Sequence, residues 1–222
     1  MVMENNAEIH HILKDRHREI RDGLPSNLSL RIHRALSWLN CSEKKEDDDS
    51  KFIFLWISFN AAYAHEIPNR WEINERKVLS NFLQILIEAD DSRSLYKVVW
   101  SEFPNSIRLL IDNKYVYQHF WDFHNDKINE EEWLELFKKS REAAHRALGK
   151  MNTEKVLSII FERLYTLRNQ LIHGGATWES AVNRDQIRDG VKIMSQIVPA
   201  MLSIMLNNNP KLIGSPCYPV VS

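Results

Sequence analysis

An all-α fold is predicted by three features of the sequence. Glycine (6) and proline (7) are scarce among 222 residues, and a β-rich chain needs both at its turns. Apolar residues recur at spacings of three and four, the period of a helix with one buried face. Between those segments stand Asn, Ser, Gly and Pro, the residues that start and stop helices. With 44% hydrophobic and 27% charged residues the chain can bury a core in one domain, placed at residues 1–206.

The first helix is expected from about Glu4 to Asp22, where Ile9, Ile12, Leu13 and Ile20 stand among many charges. Gly23-Leu24-Pro25-Ser26 ends it, and Ser26 or Asn27 caps a second helix from about Leu28 to Asn40 with Leu28, Ile32, Ala35, Leu36 and Leu39 on one side. Ser42 to Ser50, rich in Asp, Glu and Lys, reads as a solvated charged loop. A third helix, Phe52 to His65, sets Phe52, Trp56, Phe59 and Tyr63 at spacings of 4, 3 and 4, on one face. Ile53, Ile57 and Ala64 cover a neighbouring face, so this helix is expected to be central. Asn60 interrupts it, and a buried amide there must find a partner, in the core or in a site.

From Arg70 to about Asn125 the chain reads as an insertion of further helices, one carrying Val78, Phe82, Ile85 and Leu86, with breaks at Asp90-Asp91-Ser92, Pro104 and Asp112-Asn113. Trp100, Phe103, Trp121 and Phe123 add aromatic mass. Asn129 followed by Glu130, Glu131 and Glu132 starts the next helix, which Gly149 ends. Another begins near Asn152 or Thr153, and a last one runs from about Arg184 to Leu206 with Ile187, Val191, Met194, Ile197 and Val198 in a stripe. Residues 207–222 hold three prolines and Gly214 and read as an irregular tail.

Cys41 and Cys217 lie far apart, which fits neither a disulfide framework nor a zinc knuckle. Residues 1–6 lack the basic-then-apolar pattern of a secretory signal, and Phe52 to Ala64 is too short for a bilayer, which takes about 20 residues. A cytoplasmic protein without membrane attachment is expected. A net charge of -1 argues against a surface coated in phosphate contacts, yet Ala143 to Lys211 holds nine Lys or Arg against five Asp or Glu. That local excess permits a polyanion.

The chemistry-bearing segment lies inside this basic stretch. With Ile160 at zero on a helical wheel, Leu164, Leu167 and Leu171 fall within about 40° of it, a core stripe. Phe161, Tyr165, Arg168, Asn169, Ile172 and His173 lie largely opposite, a second and partly apolar face that suits a symmetric partner. Gly174 and Gly175 end the helix beside His173, and Asn169 shares the face of His173 four residues on. Arginine supplies a planar cation that fits phosphate, and histidine moves protons near neutral pH. Arg168, Asn169 and His173 are the catalytic candidates, with Tyr165 and Asn60 as accessory ones. No cofactor is expected. Asp122, His124 and Asp126 alternate as metal ligands might be spaced, but no remote pair matches them, and His10, His11 and His17 read as solvated helix or interface.

The string Leu164-Tyr165-Thr166-Leu167-Arg168-Asn169-Gln170-Leu171-Ile172-His173-Gly174-Gly175 resembles the signature of the HEPN superfamily: an Arg, a short spacer, then His, commonly with a polar residue after the Arg. Arg31 to Leu39 and Phe52 to Tyr63 resemble bacterial HEPN-domain proteins close to the Apea-like branch. The likeness covers roughly Ser26 to Leu206 and is weak from Arg70 to Asn125. It implies an up-and-down helical bundle, here with helices inserted in the middle of the chain. It further implies a homodimer with a composite cleft and metal-independent endoribonuclease activity on RNA in toxin-antitoxin, defence or RNA-processing settings, with an antitoxin or defence protein as a further partner. Arg168, Asn169 and His173 match the motif. Inactive relatives keep the fold, so a non-catalytic nucleotide-binding or protein-interaction module is the alternative.

Overall fold

A computed structural model of the protein describes residues 6–63, 75–102, 104–181 and 183–208. The described residues are all-helical, with ten α-helices and no strand. They are α1 (Asn6–Ile20), α2 (Ser26–Glu43), α3 (Asp48–Tyr63), α4 (Glu75–Glu88), α5 (Ser94–Lys97), α6 (Pro104–Asp112), α7 (Gln118–His124), α8 (Glu130–Gly149), α9 (Thr153–Ile172) and α10 (Arg184–Asn208). Short 3-10 turns at Arg21–Gly23 and Lys114–Val116 and a π turn at Val98–Glu102 join some of them. The expected extension of α3 over Ala64 and His65, the start at Glu4, Phe103, Cys217 and the tail beyond residue 208 lie outside the described residues.

The chain divides into two compact units, one of residues 1–95 and 194–222, the other of residues 96–193. In the first, α2 and α3 form a helical hairpin and α1 packs on α2. Ile32, Ala35, Leu36 and Leu39 of α2 and Phe52, Leu55, Phe59 and Ala62 of α3 are buried. The aromatic stripe of α3 is continuous: ring centroids are 6.4 Å apart for Phe52 and Trp56, 5.7 Å for Trp56 and Phe59, and 5.3 Å for Phe59 and Tyr63. Burying side chains of this size is the main stabilising term of such a hairpin, about 1.5–3 kcal/mol for each large apolar group.

The hairpin connection corrects the sequence reading. Rather than a loop from Ser42 to Ser50, α2 runs through Glu43 and α3 starts at Asp48. Asp47 caps α3, accepting from Ser50 N–H through Oδ1 at 2.7 Å, and Asp48 and Asp49 lie against the positive end of the helix. A run of acids looks solvated by composition, but here it is a cap and a first turn, and Asp49 is buried. α2 likewise begins earlier than expected, with Pro25 at its N-cap and no side-chain cap. The break at Asp90 is a cap of the same sort: its carboxylate accepts from Ser94 N–H at 2.9 Å and Leu95 N–H at 2.8 Å.

In the second unit α9 is central, packing against α6, α8 and the Lys114–Val116 turn, and α7 packs on α8. Asn129 and Asn152 cap α8 and α9, accepting from Glu132 N–H at 2.8 Å and Lys155 N–H at 2.9 Å. α10 contributes Ile187, Val191 and Ile193 to this unit and Met194 to Leu206 to the other. It continues through Pro199, whose missing N–H and ring normally interrupt a helix. Among the described residues α10 is long and apolar enough to cross a membrane, over Arg184–Asn207, but its apolar stretch is mostly buried, the position of a core helix.

Candidate functional site

Tyr165, Arg168, Asn169 and His173 come together on the last two turns of α9. Earlier turns of this helix are buried nearly all round, through Val156, Leu157, Ile160, Phe161, Leu164 and Leu167. The end emerges: Tyr165 is 45% and Ile172 47% exposed, His173 is exposed, and Arg168 and Asn169 are half-buried.

Local backbone chemistry holds His173 at that end. His173 is the C-cap residue, and its N–H donates to Asn169 C=O at 3.0 Å. Gly174 follows at φ +68, with its N–H donating to Leu171 C=O at 3.3 Å, while Gly175 N–H donates to Gln170 C=O at 2.7 Å. These two bonds make the Schellman closure, which satisfies carbonyls that a helix end leaves open. The closure also explains both glycines. Gly174 occupies left-handed backbone, and a Cβ on Gly175 would come within 3.1 Å of Gln170 O.

Arg168 is held from two sides. Its Nη1 donates to Asn169 Oδ1 at 2.9 Å, and its guanidinium carbon lies 5.9 Å from the centre of the Tyr165 ring. Its Nε is buried and has no hydrogen-bond partner. Asn169 and His173 share a face, as their spacing requires, but the Asn169 oxygen is engaged by Arg168. The remaining accessory candidate, Asn60, lies on α3 in the other unit and is half-buried.

Two polar residues of α9 escape a reading by spacing. Gln170, inside the trio segment, ties the helix end to two other segments: Nε2 donates to Tyr115 C=O at 2.6 Å, and Oε1 accepts from Asn183 Nδ2. Trp121 Nε1 donates to the same Tyr115 carbonyl at 2.8 Å. The partners are 55 and 13 residues away, so no local pattern announces them. Arg163 is 1% exposed, with its guanidinium 4.5 Å from the Tyr117 ring centre and Nη2 donating to Ser140 Oγ at 2.9 Å. On the wheel it sits about 60° from Ile160, beside the core stripe, which is a usable sign of burial.

Trp178, 71% exposed, lies in the segment between the two glycines and α10. Asp122 pairs with His119 at 3.2 Å and Lys127 at 3.7 Å, and the exposed His124 stacks edge-on against Phe120 at 4.4 Å. Of the histidine group, His10 and His17 are buried, His17 against α2, and His11 is exposed, so both readings of the group hold in part.

The helix end thus offers a half-buried guanidinium held by Asn169 and Tyr165 and an accessible imidazole one turn further on. Such a pair can bind an oxyanion and exchange a proton with a neighbouring oxygen. No family model, curated protein or solved structure matches the chain.

Proposed function

We propose that the protein is a metal-independent endoribonuclease of the HEPN type, acting as a cytoplasmic homodimer in a toxin-antitoxin or defence system. The observation that supports this most is the helix end itself, where Arg168 and His173 stand on adjacent turns with the guanidinium half-buried and the imidazole open to solvent. An RNA 2′-hydroxyl attacks the adjacent phosphorus while His173, from one protomer or the other, takes its proton or supplies one to the departing 5′-oxygen. The P–O5′ bond breaks, leaving a 2′,3′-cyclic phosphate and a 5′-hydroxyl. Arg168 stabilises charge on the phosphoryl oxygens. Tyr165 supports Arg168 through its ring, and Asn169 fixes the guanidinium. Asn60 remains an accessory candidate by its place in an apolar helix alone.

The exposed Tyr165 and Ile172 supply apolar surface for a two-fold contact that would bring two copies of the helix end together, the arrangement of the HEPN fold. An antitoxin or other defence protein would act by covering that cleft. The test is RNA cleavage by purified protein in excess chelator. The expected result is cleavage by wild type that is lost in Arg168→Ala and His173→Ala, with both variants dimerising as wild type does. Cleavage of equal rate in the variants would assign the activity elsewhere.

One observation favours a second reading, an inactive nucleotide-binding or protein-interaction module of the same fold. Asn169 is bonded to Arg168, so it does not orient the His173 ring within a single chain. A wild-type protein that binds RNA and leaves it intact, with binding lost in Arg168→Ala, would select that reading.

A further inference from the structure

Along α1 and the 3-10 turn after it, His10, Lys14, His17 and Arg21 recur at spacings of four, three and four, on one side of the helix. That side meets α2. His10 and His17 are buried, His17 to 3% exposure, with Leu13 between them. His17 Nε2 lies 3.1 Å from Ser29 Oγ, and Lys14 Nζ lies 3.2 Å from His33 Nδ1, so both contacts cross to α2. The His17 and His33 rings are 6.2 Å apart.

α2 brings no acid to this seam. From Ser26 to Ser42 it carries Arg31, His33 and Arg34 and neither Asp nor Glu; Glu43 stands at its far end, bonded to the backbone of His10. α3, packed on α2, has Asp48, Asp49 and Lys51 as its charged groups, all at the end that adjoins Glu43. On α1, Asp15 pairs with Arg18 at 2.8 Å, Glu19 with Arg16 at 3.3 Å, and Asp22 with Arg21 at 3.6 Å. Among the described residues no carboxylate pairs with Lys14, His33 or Arg34.

We propose that this α1–α2 seam binds a phosphate group, held by Lys14, His33 and Arg21 with His17 behind them. Lys14 has no carboxylate partner among the described residues and stands beside Arg21, whose own partner is the exposed Asp22; an oxyanion that accepts from Lys14, Arg21 and the imidazoles removes the repulsion between the two cations. Burial, reinforced by the cations around them, holds the His17 and His33 imidazoles below the ordinary histidine range, and Lys14 is lowered by burial and by Arg18 and Arg21. His33 Nδ1 accepts from Lys14 Nζ. With a phosphodiester bound, whose single charge is the same at pH 8 and pH 6, His33 gains a proton and donates, so binding of a nucleic-acid backbone strengthens as pH falls from 8 to 6. A free phosphate and the backbone of a nucleic acid share this chemistry.

The experiment is thermal unfolding of the full chain in phosphate and in chloride of equal ionic strength, at pH 6 and pH 8. At a phosphate concentration tenfold above the dissociation constant the midpoint is expected to rise by about 3–5 °C. Lys14→Ala and His33→Gln, whose side chains reach solvent, are expected to keep the helical circular dichroism and lose the rise. A parallel series with a short 2′-O-methyl oligonucleotide, which resists cleavage by 2′-hydroxyl attack, separates the sources. A response to inorganic phosphate marks a free-phosphate site, and a response to the oligonucleotide alone marks a backbone site. An equal rise in both variants, or none with either probe, overturns the proposal.

Discussion

At the residue scale, the position of His173 depends on its two glycines more than on any side chain. Gly174 sits at φ +68, and an alanine there costs roughly 1–2 kcal/mol. Gly174→Ala is therefore expected to lower the unfolding midpoint in a thermal melt by several degrees, and to reduce RNA cleavage further by displacing the imidazole. Glu43 makes a separate prediction. Burial raises its carboxyl to about 7 against the pull of the His10 backbone N–H and Lys51. A carboxyl raised in the folded state binds its proton more tightly there than in the unfolded chain. Its contribution to stability is therefore present below the unfolded value near 4.5 and lost as pH rises through about 7. Glu43→Gln removes that loss, so its midpoint is expected to exceed that of wild type at pH 8 and to match it near pH 5. A variant less stable than wild type at pH 8 would show that the carboxylate is favourable in its pocket of Ile9, Leu39, Ser42, Lys51 and Leu55.

At the element scale, α9 was the most legible part of the chain. Asn152 caps it, Gly174 and Gly175 close it, and of its stripe Ile160, Leu164 and Leu167 are buried and Leu171 half-buried, all signals carried by local sequence. The partners of Arg163 and Gln170 were not legible, because only the tertiary fold brings Tyr117, Ser140, Tyr115 and Asn183 near; the burial of Arg163 alone shows in its wheel position. The α2–α3 connection misled for a different reason. Acidic runs are usually solvated, and the capping role of Asp47 shows only once α3 is known to begin at the next residue. Loss of such a cap costs about 1 kcal/mol, so Asn152→Ala and Asp47→Ala are each expected to lower stability by that amount in urea titrations. If Asp47→Ala has no effect, the connection is the solvated loop its composition suggests.

At the scale of the whole molecule, the all-helical class follows from sparse glycine and proline and from apolar periodicity. The division into two compact units, with α10 contributing to each, was not visible in those patterns. Helix period marks which face is buried, not which helices gather together. The proposed dimer belongs to this scale, and Ile172, 47% exposed beside His173, is its most direct probe. Ile172→Glu is expected to shift the sedimentation coefficient from dimer to monomer and to reduce RNA cleavage at least tenfold while leaving the helical spectrum unchanged. A variant that stays dimeric would place the two-fold contact on another face.

The measurement closest to the central claim is the chemistry of the cut ends. RNA incubated with wild-type protein in excess chelator is predicted to yield 2′,3′-cyclic phosphate and 5′-hydroxyl termini, with no cleavage of a fully 2′-O-methylated strand and none by His173→Ala. Ends bearing 3′-hydroxyl and 5′-phosphate, or unchanged cleavage by His173→Ala, would contradict it.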